Sequence, residues 1–313
     1  MRKLLLLLLM LVGCNLAWAK VLSVEFNFAP FVGDLAKDKV DLVAGKAAVF
    51  INNVPIAQQD ITKQSMPVIF DNREVGGAMW ITAKSMGPAL RRGKNKIRIE
   101  FQPSNASQPY AMQLRWASVT DQVKRTDTGS GQMSSTNQAD EGADNRKGLT
   151  GKLVVEREFT ADFPEELPWH RYPPVTALSD ADKQELAALA AARAQTFKPD
   201  FAAVYKLLES ANTSGVQLNI AGIKKSRVLD QGYAAGVRIA APAVDKISFT
   251  LTGNPEVVLR GANGADLFPL DLPALRRIKG EEARFGVGMV LSVLYPQQMV
   301  AVRDPAGKWA IVY

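Results

Sequence analysis

The chain has 313 residues, 47% of them hydrophobic and 22% charged, with a net charge of +7. That composition excludes a disordered or collagen-like polymer and supplies enough apolar residues for two domains. The single cysteine excludes a disulfide framework, and the single histidine leaves His170 to carry any histidine-based chemistry.

The first zone is an address. Met1-Arg2-Lys3, the apolar run 4–12 and Ala17-Trp18-Ala19 make a basic end, an apolar centre and a small-residue stop, the layout of a secretory signal peptide over residues 1–19. The run is too short to span a bilayer. Cleavage between Ala19 and Lys20 would release a periplasmic or secreted protein. Leu11-Val12-Gly13-Cys14 also resembles the bacterial lipoprotein box, which implies lipidation of Cys14 and an outer-membrane anchor; both routes stay open. A lipid at Cys14 is the only membrane attachment expected.

Residues 20–120 read as an all-β sandwich domain. Leu22, Val24, Phe26 and Phe28 alternate with Ser23, Glu25 and Asn27, the period of a half-buried strand. Segments 47–51, 68–70, 79–82, 94–101 and 110–119 follow, separated by turn residues such as Asn52-Asn53, Gly76-Gly77 and Arg92-Gly93. The run Ala48-Val49-Phe50-Ile51-Asn52-Asn53-Val54-Pro55-Ile56, with the later Gly93-Lys94-Asn95-Lys96-Ile97-Arg98-Ile99, resembles the galactose-binding-like jelly rolls appended to secreted glycosidases. That resemblance implies a sandwich closed by the second run. Asn53 stands where the family has glycine.

Most of the net positive charge lies in this part of the chain. On a strand, Lys94, Lys96 and Arg98 share one face, and Arg91 and Arg92 sit in the turn before it. The five form a candidate binding patch for an anionic envelope polymer, a glycan or a partner protein. A solvated edge face, whose lysines discourage strand-to-strand pairing, is the reading this pattern favours. Export and the lack of a basic helix argue against nucleic acid.

Residues 121–151, rich in Ser, Thr, Gly, Asn and Asp, read as a flexible linker or long loop. Asp140, Glu141 and Asp144 lack calcium-loop spacing, and no metal or cofactor motif occurs elsewhere. The strand pattern 153–159 fits either domain. Four prolines then make 163–174 an extended connector holding His170, whose expected role is packing.

Residues 152–313 read as an α+β domain, two helices on a curved antiparallel sheet. Ser179 caps the first helix, with Leu186, Leu189, Ala190, Arg193, Ala194 and Phe197 along one stripe; Phe201, Val204, Tyr205, Leu208 and Ala211 mark the second. Segments 216–220, 236–240, 246–251, 256–260, 267–270, 284–294, 300–303 and 309–312 are strand candidates. The longest backs its apolar face with Gly286 and Gly288, where a pocket under the helices would form. The layout resembles the cystatin-like cone of SnoaL-like proteins, whose enzymes line the pocket with His and Asp. No histidine follows His170, so no catalytic residue carries over. The expected function is therefore a non-catalytic binding or interaction module of the cell envelope; the alternatives are a carboxylate-dependent secreted hydrolase and a structural envelope component.

Overall fold

The computed structural model describes residues 21–69, 73–76, 78–120, 125–127, 133–135, 138–211 and 219–313; residues 1–20, with Cys14, Ala19 and Lys20, lie outside them. The chain is rich in antiparallel sheet and divides into two compact units, the first ending at Glu166 and the second spanning Leu167–Tyr313.

The first unit contains β1 (Val21–Val32), β2 (Lys39–Leu42), β3 (Gly45–Ile51), β4 (Val54–Ile61), β5 (Ser65–Ile69), β6 (Glu74–Val75), β7 (Met79–Thr82), the one-turn helix α1 (Ala83–Met86), β8 (Gly93–Pro103), β9 (Tyr110–Thr120), β10 (Arg125–Asp127), β11 (Met133–Ser135), β12 (Gln138–Leu149) and β13 (Leu153–Ala161). One sheet runs β12-β9-β1-β2-β5-β6 with β7 also on β1; a second runs β13-β8-β3-β4; β10 and β11 pair with each other. The two larger sheets share an apolar layer in which Phe26 meets Phe159 at 5.1 Å and Phe28 meets Phe101 at 6.0 Å between ring centroids. The alternation in β1 holds from Val24 to Phe28, after which Ala29, Pro30 and Phe31 are all buried, and a bulge between Val21 and Ser23 turns Leu22 outward, 47% exposed.

Residues 121–151 are not simply a linker. Gln138–Leu149 is an edge strand paired along β9, and β13 completes the second sheet against β8. The first unit therefore extends to Glu166, not 120, and residues 152–166 belong to it rather than to the second unit. Polar residues on both faces hide such an edge from hydropathy. Residues 121–124, 128–132 and 136–137 lie outside the described residues.

Asn52 and Asn53 form the two-residue turn between β3 and β4 with φ of 52° and 67°. Both positions of such a turn need a left-handed backbone, which asparagine tolerates, so Asn53 does the work expected of glycine.

The second unit contains α2 (Asp180–Ala194), α3 (Ala202–Ala211), α4 (Ile220–Ser226), α5 (Val228–Ala234), β14 (Ile247–Leu251), β15 (Glu256–Gly261), α6 (Leu272–Arg277), α7 (Glu281–Leu294), β16 (Gln298–Arg303) and β17 (Trp309–Ile311). The strands form one antiparallel sheet in the order β14-β15-β16-β17.

Several segments read as strands are not strands. Residues 284–294 lie in α7: Val287, Val290, Leu291 and Leu294 are buried at 3–4 spacing, whereas Phe285, placed on the apolar face by alternation, is 74% exposed. Two residue patterns coexist there, and packing selects the helical one. Residues 237–240 and 267–270 have no regular structure, and Ile220 opens α4 behind its cap Asn219, with 216–218 outside the described residues. Six helices, not two, accompany this sheet among the described residues. Ser179 caps α2 as expected, but α3 starts at Ala202, because Asp200 and Phe201 both hold positive φ.

Candidate functional site in the first unit

The expected basic patch is placed by two asparagines. Asn52 Nδ2 donates to Ala89 O at 2.9 Å and to Asn95 Oδ1 at 2.8 Å, while its own Oδ1 accepts from the Lys96 amide at 3.0 Å. Asn95, 3% exposed, donates to Arg91 O and Gly93 O and accepts from the Arg91 amide. The β3–β4 turn is thereby tied to the turn that carries Arg91 and Arg92.

The face beyond those turns is mixed in sign. Lys94, Lys96 and Arg98 point away from the core, as their alternation requires, yet Lys96 Nζ lies 2.6 Å from Glu156, Arg98 pairs with Glu100 and covers the Phe50 ring at 3.9 Å, and Lys152 reaches Glu100 at 2.7 Å. The cationic strip is thus interleaved with carboxylates from β8 and β13, so Lys96 and Arg98 are compensated locally. Arg92 is exposed, and Lys94 stands apart from this array.

Lys94 lies at the mouth of a cleft of about 330 Å³ at the open edge between the two sheets. Val21, Val24 and Phe26 of β1 and Phe159 of β13 supply the apolar lining; Ser118, Glu158 and Thr160 supply polar groups. One wall is a three-residue bridge. The Arg157 guanidinium lies 3.4 Å from the Trp116 ring centroid and donates to Asp140 Oδ2 at 2.7 Å, and Trp116 Nε1 donates to Asp140 Oδ1 at 3.1 Å. A single carboxylate on β12 thus holds an indole from its own sheet and a guanidinium from the facing sheet.

Gly142 explains how the indole lies there. It sits opposite Trp116 in the β12–β9 register, and a Cβ added to it would come within 2.7 Å of the ring. Beyond the bridge lies a second recess, about 390 Å³, lined by Leu114, Asp144, Glu156 and Glu158. Arg157 is also an inward-facing charge on an edge strand, a feature that discourages pairing with a foreign strand.

Of the five expected patch residues, only Lys94 lines this cleft. Trp116, Asp140 and Arg157 are brought together from three strands, and nothing in their sequence spacing announces it. Asp144, weighed with Asp140 and Glu141 against calcium-loop spacing, is bound by Arg146 at 2.7 Å. His170 lies in a single turn, Pro168–Arg171, with its ring 5.9 Å from Trp169.

In the second unit, Asp182 is the most strongly perturbed acid. The Trp309 indole N–H, donating at 3.0 Å, holds its carboxyl well below the usual carboxylate range, helped by the Ser179 amide and hydroxyl and by Arg303, against the opposing effect of burial. It joins the start of α2 to the terminal β16–β17 hairpin. Compared with known families, characterised proteins and solved structures, the chain finds no match.

Proposed function

We propose that the protein is an exported, non-catalytic binding module of the cell envelope, an all-β sandwich followed by an α+β domain, and that its first unit takes a ligand in the cleft beside Trp116 and Arg157. One observation carries this reading: an apolar floor of Val21, Val24, Phe26 and Phe159 meets Lys94 at the mouth of a cleft of about 330 Å³. Binding sites of this size pair an apolar lining with a few placed polar groups. The ligand class that fits is an amphipathic envelope molecule, its apolar part on Phe26 and Phe159 and an anionic group at Lys94.

The signal-like residues 1–19 support the address, and the jelly-roll-like runs around Asn52 and Asn95 support the architecture. Intact-mass measurement of the native protein checks the address: a start at Lys20, or an acylated Cys14, is expected, and a retained Met1 refutes export. Co-sedimentation with washed envelope fractions checks binding. Lys94→Glu should weaken retention about ten-fold, roughly the loss of one charge-assisted contact, while Lys152→Glu on the outer face should not. Equal retention of the wild type and Lys94→Glu would overturn the cleft reading.

A further inference from the structure

Given the cleft beside Trp116 as the binding site, we infer that its ligand is a zwitterionic phospholipid, with the phosphate on Lys94 and a headgroup ammonium on Glu158. The reason lies in the charges of the lining. Lys94 and Arg157 are positive, Asp140 and Glu158 negative. Arg157 and Asp140 already answer each other at 2.7 Å, and the adjacent Lys96 is held by Glu156 at 2.6 Å. Among the described residues, Lys94 and Glu158 are the two charges of the cleft left without an ion pair, both exposed and opposite in sign.

Strand register fixes their spacing. Lys94 stands opposite Thr160, and Lys96 opposite Glu158, in the β8–β13 pairing. The two unpaired groups therefore share the outward face, offset by one two-residue step of about 7 Å along the strands. A phosphate and an ammonium joined by a two-carbon spacer, met by the lysine stem and the glutamate side chain, cover that offset. An amphiphile with an anion alone would bring its charge within a Debye length, about 8–10 Å, of an unanswered Glu158. An ammonium in the headgroup removes that repulsion. Glu158 also lines the recess beyond the bridge with Asp144 and Glu156, so the cationic end of the headgroup lies on the acidic side of Arg157.

Calorimetric titration of the purified full chain with dihexanoyl phosphatidylethanolamine and dihexanoyl phosphatidylethanol, both kept below micelle formation, tests the headgroup. The second lipid keeps the phosphodiester and lacks only the ammonium. The amine-bearing lipid should bind about three- to five-fold more tightly, the size of one exposed ion pair. Glu158→Gln should remove that preference, and Glu158→Lys should reverse it. Free O-phosphoethanolamine, without chains for the apolar floor, should bind at least about a hundred-fold more weakly than its lipid, and Thr160→Trp should block both lipids. Equal affinity for the two lipids in the wild type, or a preference that survives Glu158→Gln, overturns the zwitterionic headgroup and leaves the cleft in place. Free O-phosphoethanolamine binding as tightly as its lipid overturns the lipid source. Binding of neither lipid overturns the inference as well, whereas the cleft itself falls only if Thr160→Trp leaves lipid binding or envelope retention unchanged.

Discussion

Replacing Asp182 tests whether the C-terminal hairpin is locked to α2 by one carboxylate. Asp182→Ala strips the acceptor from Trp309 Nε1, on a residue only 5% exposed, and from the Ser179 amide in the capping box. An unsatisfied buried donor costs about 1–3 kcal/mol and a lost cap interaction about 1. The Arg303 pair, on a side chain 37% exposed, is set at nothing. The expected loss is about 2–4 kcal/mol. For a unit of this size that is a fall in Tm of roughly 5–15 °C, read by calorimetry of the purified chain. The pH dependence has a definite sign. Because the folded carboxyl is held below its ordinary range, its stabilisation is complete above the unfolded value near 4 and drains away as pH falls below it. Asp182→Asn keeps an acceptor oxygen but no charge, so its melting temperature should fall less steeply between about pH 4 and pH 2 than that of the wild type. A loss under about 1 kcal/mol for Asp182→Ala, or superimposed acid limbs for Asp182→Asn and wild type, would refute the lock.

Gly142→Val should push Trp116 off its bed on β12 and destabilise the first unit by about 1–3 kcal/mol, the cost of overpacking, as read by urea denaturation. Asn95→Ala should cost about 2–4 kcal/mol, because the Arg91 amide and Asn52 Nδ2 both lose their acceptor in a buried setting. Asn53→Gly should change stability by less than about 0.5 kcal/mol, since glycine accepts the same positive φ, whereas Asn53→Val should cost more than about 1 kcal/mol. Thr160→Trp, filling the cleft from an exposed position, should abolish retention on envelope fractions while leaving the melting temperature nearly unchanged.

Where one face of an element is buried and the other wet, the pattern was legible. Strands β1, β8 and β9 announce themselves by alternation, and α2 by Ser179 and its following acids. Helix α7 was not, because Phe285, Val287, Met289, Leu291 and Val293 satisfy a period of two while Val287, Val290, Leu291 and Leu294 satisfy a helix. Gly286 and Gly288 tilt a local reading towards a strand, and only packing decides. Strand β12 was hidden by its place at a sheet edge, where Asp140, Gly142 and Asp144 face the bridge and the recess beyond it rather than a dry core. The cleft was invisible for a different reason. Its walls come from β1, β8, β9, β12 and β13, and long-range pairing rather than any motif brings Lys94, Trp116, Asp140 and Arg157 to one edge.

The location of binding is the central claim, and amide hydrogen exchange with and without a saturating envelope extract reads it directly. Segments 116–118 and 157–160 line the cleft and should exchange more slowly in the presence of extract, with Lys94→Glu reducing that protection. Protection confined to residues outside the cleft, or none at all in an extract that retains the protein, would contradict the assignment of the cleft as the binding site.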